Sequence, residues 1–190
     1  MFEHVTILLS FVFAIALTHL LSTASELVLA RDRVRFSGLH TLWMGNALLS
    51  LTVNWLSFWD LNIIKHWTVS EVVLQFAAAI IQYFTCSTLS LRVREDGPVD
   101  VPAFFGKQKP VIFGAFTALM LMGMLLNWWD REHTLGLSPT DWIGENAGVF
   151  FILVSVLVAW FAKPKWLQWV GGLATVAGQT YFLATYAMPF

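Results

Sequence analysis

The sequence predicts an all-α fold, an integral membrane bundle of six transmembrane helices. Of its 190 residues, 57% are hydrophobic and only 12% are charged, whereas about 25% of the residues in a soluble domain are charged. The hydrophobic residues form six runs long enough to cross a hydrocarbon core, which takes about 20 helical residues. This composition excludes a soluble enzyme, a nucleic-acid-binding protein and a disordered chain.

The six runs cover most of the sequence and leave only short loops, so a soluble domain between them is not expected. We expect one transmembrane domain over residues 1–190. Its helices are expected at about 5–29, 37–59, 69–91, 110–129, 142–162 and 166–187.

The first three runs are expected to be uninterrupted helices. The first and third contain neither Gly nor Pro, and the second contains Gly38 at its start and only Gly45 in its interior, so they lack the usual signs of a broken helix. The third begins with a capping pattern from Thr68 to Glu71, in which side chains satisfy backbone amides of the first turn. The N-terminus lacks the basic residues of a cleavable signal peptide, which predicts that the first run is retained.

The last three runs are expected to pack closely against their neighbours. Gly114 in the fourth run and Gly171 and Gly178 in the sixth are small residues of the kind that let membrane helices approach each other. A second capping pattern, at residues 138–141, precedes the fifth run. Residues 98–110 are expected to form a cytoplasmic loop at the membrane surface.

The distribution of basic residues predicts the orientation of the bundle. Short loops rich in Lys and Arg stay on the cytoplasmic side of a membrane. Loops one, three and five contain nine of the eleven Lys and Arg residues, and the two chain ends contain none. Both termini are therefore predicted to lie on the non-cytoplasmic side. The nine residues are Arg31, Arg33, Arg35, Arg92, Arg94, Lys107, Lys109, Lys163 and Lys165.

Polar side chains at membrane depth are the candidate functional residues, because an ionisable group there costs about 2.5 to 3.5 kcal/mol on insertion scales. His19 and Glu26 share one face of the first helix, His40 and Asn46 belong to the second, and Gln82 belongs to the third. With a rise of about 1.5 Å per residue, His19, Asn46 and Gln82 come near one level, and Glu26 comes near His40 and the first basic loop. We therefore predict a buried polar cluster of these five residues.

Two interpretations of this cluster stay open. In the first, its members form interhelical hydrogen bonds, worth about 0.6 kcal/mol each on average, and the chain is a non-enzymatic structural or accessory subunit of a larger membrane complex. In the second, they form a path for a proton or cation, and the chain is a small oligomeric channel or transporter. The expected partners are membrane lipids together with further copies or other membrane subunits, and no nucleic acid.

Catalytic and metal-binding motifs are missing from the sequence. There is no Gly-x-Ser-x-Gly, P-loop or His-Glu-x-x-His motif, so we expect no catalytic residues and no enzymatic activity. No His pair at helical spacing predicts a metal site. His19 could serve as a single axial ligand of a haem or pigment, whereas bis-His ligation is disfavoured because His40 lies about 12 Å lower. Bound lipid is expected.

Five short motifs occur in the first 115 residues. They are Ala16–Leu21, Arg33–Arg35, His40–Trp43, Trp67–Val69 and Phe104–Phe105. Together they resemble a group of uncharacterised small multi-pass membrane proteins, which implies a bacterial inner-membrane location and brings no known activity. Residues 13–18 also resemble, faintly, the first helix of bacterial TMEM175-type cation channels. That family's Phe-Ser-Asp start is absent, since Ser10-Phe11-Val12 stands in its place, and its function is not transferred.

Overall fold

The computed structural model describes residues 2–63, 67–93, 97–130, 142–144 and 146–185, and its architecture is all-α, as predicted. Short 3-10 helices at Arg31–Arg33 and Ser57–Ile63 follow the first two long helices. The long helices are α1 (Phe2–Leu29), α2 (Gly38–Leu56), α3 (Val69–Thr88), α4 (Val101–Asp130), α5 (Ala147–Phe161) and α6 (Lys165–Thr185).

Side-chain caps fix the starts of α2 and α3. The Ser37 hydroxyl accepts a hydrogen bond from the His40 amide at the start of α2. At the start of α3, the Thr68 hydroxyl accepts from the Glu71 amide while the Glu71 carboxylate accepts from the Thr68 amide at 2.6 Å. The predicted capping pattern is therefore confirmed at α3, and the second one, at residues 138–141, lies outside the described residues.

Helix α4 begins nine residues before the predicted start, so the expectation of a loop over residues 98–110 was wrong. The Asp100 carboxylate accepts a hydrogen bond from the Ala103 amide at 3.0 Å and caps the helix. Pro102 lies in the first turn, where a backbone donor has no helical partner to lose. Pro110 lies inside the helix, and the burial of Val101 and Phe105 holds the added turns against the core.

The six long helices pack in a closed order that includes α2. Helix α1 packs on α3, α3 on α4, α4 on α5, α5 on α6 and α6 on α2, which also contacts α1, α3 and α4. At the centre, the fully buried Trp43 of α2 meets Phe113 and Phe116 of α4 edge to face, with ring centroids 4.6 and 5.0 Å apart. The polar residues of α2 are therefore within reach of several helices.

Three loops meet at one end of the bundle. The strand β1 (Val34–Arg35) pairs in parallel with the strand β2 (Val99–Asp100), and Arg35 forms an ion pair with Asp100 at 3.2 Å. Lys109 of α4 donates a hydrogen bond to the Ala162 carbonyl at the end of α5. The described parts of the loops between α1 and α2, α3 and α4, and α5 and α6 thus lie together, and we call this the basic end.

The outer surface of the bundle carries many large apolar side chains. Three of the described helices, α1, α3 and α4, are long and apolar enough to cross a membrane, and α5 is apolar but shorter. Every one of the six helices exposes large apolar residues. Examples, one from each helix in order, are Phe11, Leu48, Phe84, Leu121, Val154 and Leu173.

Candidate functional site

The interior of the bundle contains many polar side chains beside its apolar core. Such groups need hydrogen-bond partners in an apolar environment. Most of the buried hydroxyl groups bond to a carbonyl three or four residues earlier in their own helix, whereas the side chains of His40, Asn46 and Gln82 bond to other parts of the bundle. The buried polar residues include Thr23, His40, Asn46, Ser50, Glu71, Gln75, Gln82, Thr85, Asn146, Ser155, Thr175 and Gln179.

Gln82 joins α3 to α2 through both ends of its amide group. Its Oε1 accepts a hydrogen bond from Asn54 Nδ2 at 2.7 Å. Its Nε2 lies 3.3 Å from the Ser50 hydroxyl and 3.4 Å from the Cys86 sulfur. The side chain is 1% exposed, so these contacts satisfy a buried amide within the protein.

Asn46 joins α2 to α6 at a point of close approach. Its Nδ2 donates to the Gly172 carbonyl at 3.1 Å and to the Leu42 carbonyl of its own helix. A Cβ atom on Gly172 would lie 2.5 Å from Leu42 Cδ2, so any larger residue at position 172 would require the Leu42 side chain to shift. Asn46 Oδ1 is buried and has no hydrogen-bond partner among the described residues.

The two predicted histidines lie at different helix contacts. His40 Nε2 donates to the Leu89 carbonyl at 2.9 Å, and its ring packs edge to face against Phe104 of α4. His19 Nε2 lies 3.3 Å from the Tyr83 hydroxyl of α3. An axial ligand bond from this nitrogen to a haem or pigment would therefore have to replace the contact with Tyr83.

Glu26 lies near the end of α1, where its carboxylate accepts a hydrogen bond from the Val93 amide at 3.1 Å. No described basic side chain lies within 4 Å of it. Among the described residues, Glu26 therefore forms no ion pair with the basic loop that lies near it in the sequence. Glu26 and His19 are partly buried rather than fully buried.

The structure does not join the five predicted residues in one hydrogen-bonded cluster. Among the described residues, His19 bonds between α1 and α3, Gln82 between α3 and α2, and Asn46 between α2 and α6. Counting residues from a helix end estimates depth in a membrane but not the side of the helix on which a residue lies. His19, Gln82 and Asn46 therefore bond to other residues and not to one another.

Several polar residues escaped the sequence analysis. Tyr83 was missed as the partner of His19, and Asn127 donates to the fully buried Asn146 at 2.8 Å. Gln179 is 2% exposed, and neither its Oε1 nor its Nε2 has a partner among the described residues. Gln179 follows Gly172 by seven residues and Thr175 by four, so helical spacing within an apolar run was the signal that could have identified it.

The contacts of the predicted residues are all with neutral groups. Each of the five predicted residues hydrogen-bonds to a backbone group or to an uncharged side chain. Within the part of the chain that the structure describes, no group of three His, Cys, Asp or Glu residues could hold a metal ion.

Comparisons of the chain with protein-family models, with curated proteins and with solved structures find no match. The resemblances of its first 115 residues therefore stay predictions. Any functional conclusion depends on the contacts described above.

Proposed function

We propose that this chain is a six-span integral membrane protein that serves as a non-enzymatic structural or accessory subunit of a larger membrane complex. The observation that carries the membrane part is the apolar outer surface of the bundle, combined with polar side chains in its interior. Large apolar side chains face outward on all six helices, while amides and hydroxyls are buried. Apolar side chains are stable in contact with lipid, whereas the polar side chains of a membrane helix usually face other helices.

Helix α5 is too short to cross the membrane alone, but its position in the bundle is compatible with a fifth span. At about 1.5 Å per residue, the 15 residues of α5 extend about 22 Å, short of the roughly 30 Å hydrocarbon core. The helical turn at residues 142–144 lies directly before it, and α5 packs along both α4 and α6.

The basic end supports an orientation with this end in the cytoplasm. The described parts of all three predicted cytoplasmic loops meet there, held by the Arg35–Asp100 ion pair and by the hydrogen bond from Lys109 to Ala162. Basic residues concentrated at one end of a bundle are retained on the cytoplasmic side. We propose the bacterial inner membrane as the location, with both termini on its outer side.

The use of the buried polar residues supports the subunit role. The side chains of Gln82, Asn46 and His40 are bonded between helices of this chain. Helix–helix hydrogen bonds of this kind fix how a bundle assembles. A bundle fixed in this way suits a scaffold whose apolar outer surface meets lipid and neighbouring subunits.

Extraction and purification test this proposal in two steps. Membranes washed at alkaline pH should retain the protein, because embedded helices resist extraction that removes peripheral proteins. Affinity purification from native membranes in mild detergent should yield the chain with a second membrane protein in constant ratio. Release by alkali would contradict the membrane placement, and a chain that purifies alone would contradict the subunit role.

Conduction of a proton or cation is the second candidate, and a specific observation favours it. Asn46 Oδ1 and both amide atoms of Gln179 are buried without partners among the described residues, and such groups commonly mark internal water or an ion. Purified protein in liposomes should then show a flux driven by pH or potential. A flux that does not change in His19→Ala, Glu26→Gln or Gln179→Leu variants would exclude conduction along these residues.

A further inference from the structure

The connection between α5 and α6, at the basic end, is short and carries two lysines. Helix α5 ends at Phe161 and α6 begins at Lys165, so only residues 162–164 lie between them. Lys163 and Lys165 are both exposed, and among the described residues neither side chain has a hydrogen bond or an ion pair. Two cations are therefore available in this segment, residues 161–166, which we call the lysine turn.

The backbone of the lysine turn is held by neighbouring groups. The Ala162 carbonyl accepts hydrogen bonds from Lys109 of α4 at 3.2 Å and from Gln168 of α6 at 3.0 Å. The Ala162 amide donates to the Val158 carbonyl of α5 at 2.9 Å. The two exposed lysines therefore extend from a backbone that three helices hold in place.

No acidic side chain of the same hairpin offsets this charge. The last acidic residue in the sequence is Glu145, and residues 146–190 contain two Lys and no Arg, Asp or Glu. In the first basic loop, by contrast, Arg35 forms an ion pair with Asp100 at 3.2 Å. The lysine turn therefore has the charge to attract an anionic ligand.

Exposed aromatic and apolar side chains adjoin the two lysines. Phe161 is 71% exposed and Trp166 is 64% exposed. On α6, Val170 and Leu173 follow Trp166 at helical spacing and are also exposed. Tryptophan is enriched at the headgroup level of a membrane, and lysines near the surface attract anionic lipid. In the proposed membrane placement, the lysine turn therefore lies at the headgroups and the apolar face of α6 continues into the acyl chains.

We propose that the lysine turn binds the headgroup of an anionic phospholipid, with its phosphate at Lys163 and Lys165 and an acyl chain along Trp166 and Val170. This inference rests on the proposed membrane placement. A lysine ammonium is a compact charge with three donors, so two of them can share the oxygens of one phosphate. A zwitterionic lipid also has a phosphate, but its own ammonium group would be repelled by the two lysines.

Native mass spectrometry of the purified protein tests the proposal. The protein is incubated with equal amounts of phosphatidylglycerol, phosphatidylethanolamine and phosphatidylcholine that have the same acyl chains. We expect phosphatidylglycerol to be retained over the two zwitterionic lipids. Lys163→Gln and Lys165→Gln should each lower this preference by about fivefold, the effect of one lysine near an anionic membrane surface.

Arg92→Gln is the matched control. It removes one positive charge from an exposed residue of the same end, but Arg92 follows α3, which is not next to α5 or α6 in the closed order of helices. It should leave the lipid preference unchanged. Equal effects of Arg92→Gln and Lys163→Gln, or equal retention of the three lipids by the unmodified protein, would overturn the proposal. Displacement of the lipid by an equal concentration of soluble glycerol phosphate would overturn the role of the apolar face.

Alkaline extraction of the same membranes separates the two proposals. A protein that resists extraction but has no preference for phosphatidylglycerol would contradict the lipid site at the lysine turn alone. A protein that is released by alkali would contradict the membrane placement as well.

Discussion

Helices α2 and α3 are joined by hydrogen bonds between side-chain amides, whereas α5 and α6 are joined by close backbone packing at a glycine. Gln82 bridges α3 to Asn54 and Ser50 of α2. In contrast, a Cβ atom on Gly171 of α6 would lie 2.6 Å from the Ser155 carbonyl oxygen of α5. A side-chain amide can bridge a wider gap between two helices, but it needs a hydrogen-bond donor or acceptor on the other helix. A glycine contact needs only that the two backbones come into van der Waals contact. Both kinds of contact can stabilise helix packing in lipid, where burial of apolar surface between helices contributes little free energy because the lipid is itself apolar.

The largest expected effect is a loss of stability in Gly171→Ala. The added methyl group would meet the Ser155 carbonyl oxygen at 2.6 Å and the Ala159 Cβ at 2.8 Å, and backbone on the α5 side cannot rotate away. We expect the free energy of unfolding to fall by about 1 to 3 kcal/mol, measured as denaturation in detergent.

Gly114→Ala is the control for this experiment. Gly114 is also helical, but a Cβ atom there would meet only Trp160, at 3.9 Å, which is an ordinary contact. It should leave stability unchanged or raise it slightly, since alanine favours a helix over glycine. Equal losses in the two variants would contradict close packing of α5 on α6.

The next effect is expected for Gln82→Leu. The substitution leaves the half-buried amide of Asn54 without the acceptor that it now has at 2.7 Å, and we expect the free energy of unfolding to fall by about 1 kcal/mol, the low end for an unsatisfied donor. Unfolding of the double variant Gln82→Leu with Asn54→Leu should cost less than the sum of the single variants, because it removes both partners. Additive losses would mean that the two amides do not interact.

Gln179→Leu should have the opposite sign. Its amide is as buried as that of Gln82, but neither of its polar atoms has a partner among the described residues. Removing an unsatisfied polar group should raise the free energy of unfolding by about 1 kcal/mol. A loss as large as that of Gln82→Leu would instead show that Gln179 is hydrogen-bonded, for example to water in a conduction path.

The smallest effect is expected for Arg35→Gln at the basic end. The Arg35–Asp100 ion pair is 3.2 Å long, but both side chains are largely exposed. Exposed pairs contribute about 0 to 1 kcal/mol and weaken with salt. The melting temperature should fall slightly at low ionic strength and match that of the unmodified protein at about 1 M salt. A difference that persists in high salt would show that Arg35 acts through packing.

The sequence predicted the helical class better than the contacts between helices. Runs of apolar residues and the Thr68–Glu71 cap have local causes, and local spacing is enough to recognise them. The partners of Asn46 and His19 depend on which helices become neighbours and on how each is rotated, so depth alone could not predict Gly172 or Tyr83.

The start of α4 shows a different limit. Asp100 as a cap and Pro102 in the first turn are local signals of a helix start. They were outweighed by the aromatic residues Phe104 and Phe105 and by Lys107 and Lys109, which suggested a loop at the membrane surface. Burial of Val101 and Phe105 against the core decides in favour of a helix, and this burial depends on the packed bundle.

Labelling of single cysteines tests membrane crossing most directly. The unmodified protein is the control, because its one cysteine, Cys86, is fully buried. In intact cells, a membrane-impermeant maleimide should label Asn62→Cys, in the turn after α2, but should label Lys163→Cys, at the basic end, only after the membrane is permeabilised. Labelling of both positions in intact cells, or of neither before permeabilisation, would contradict a bundle that crosses the membrane with its basic end in the cytoplasm.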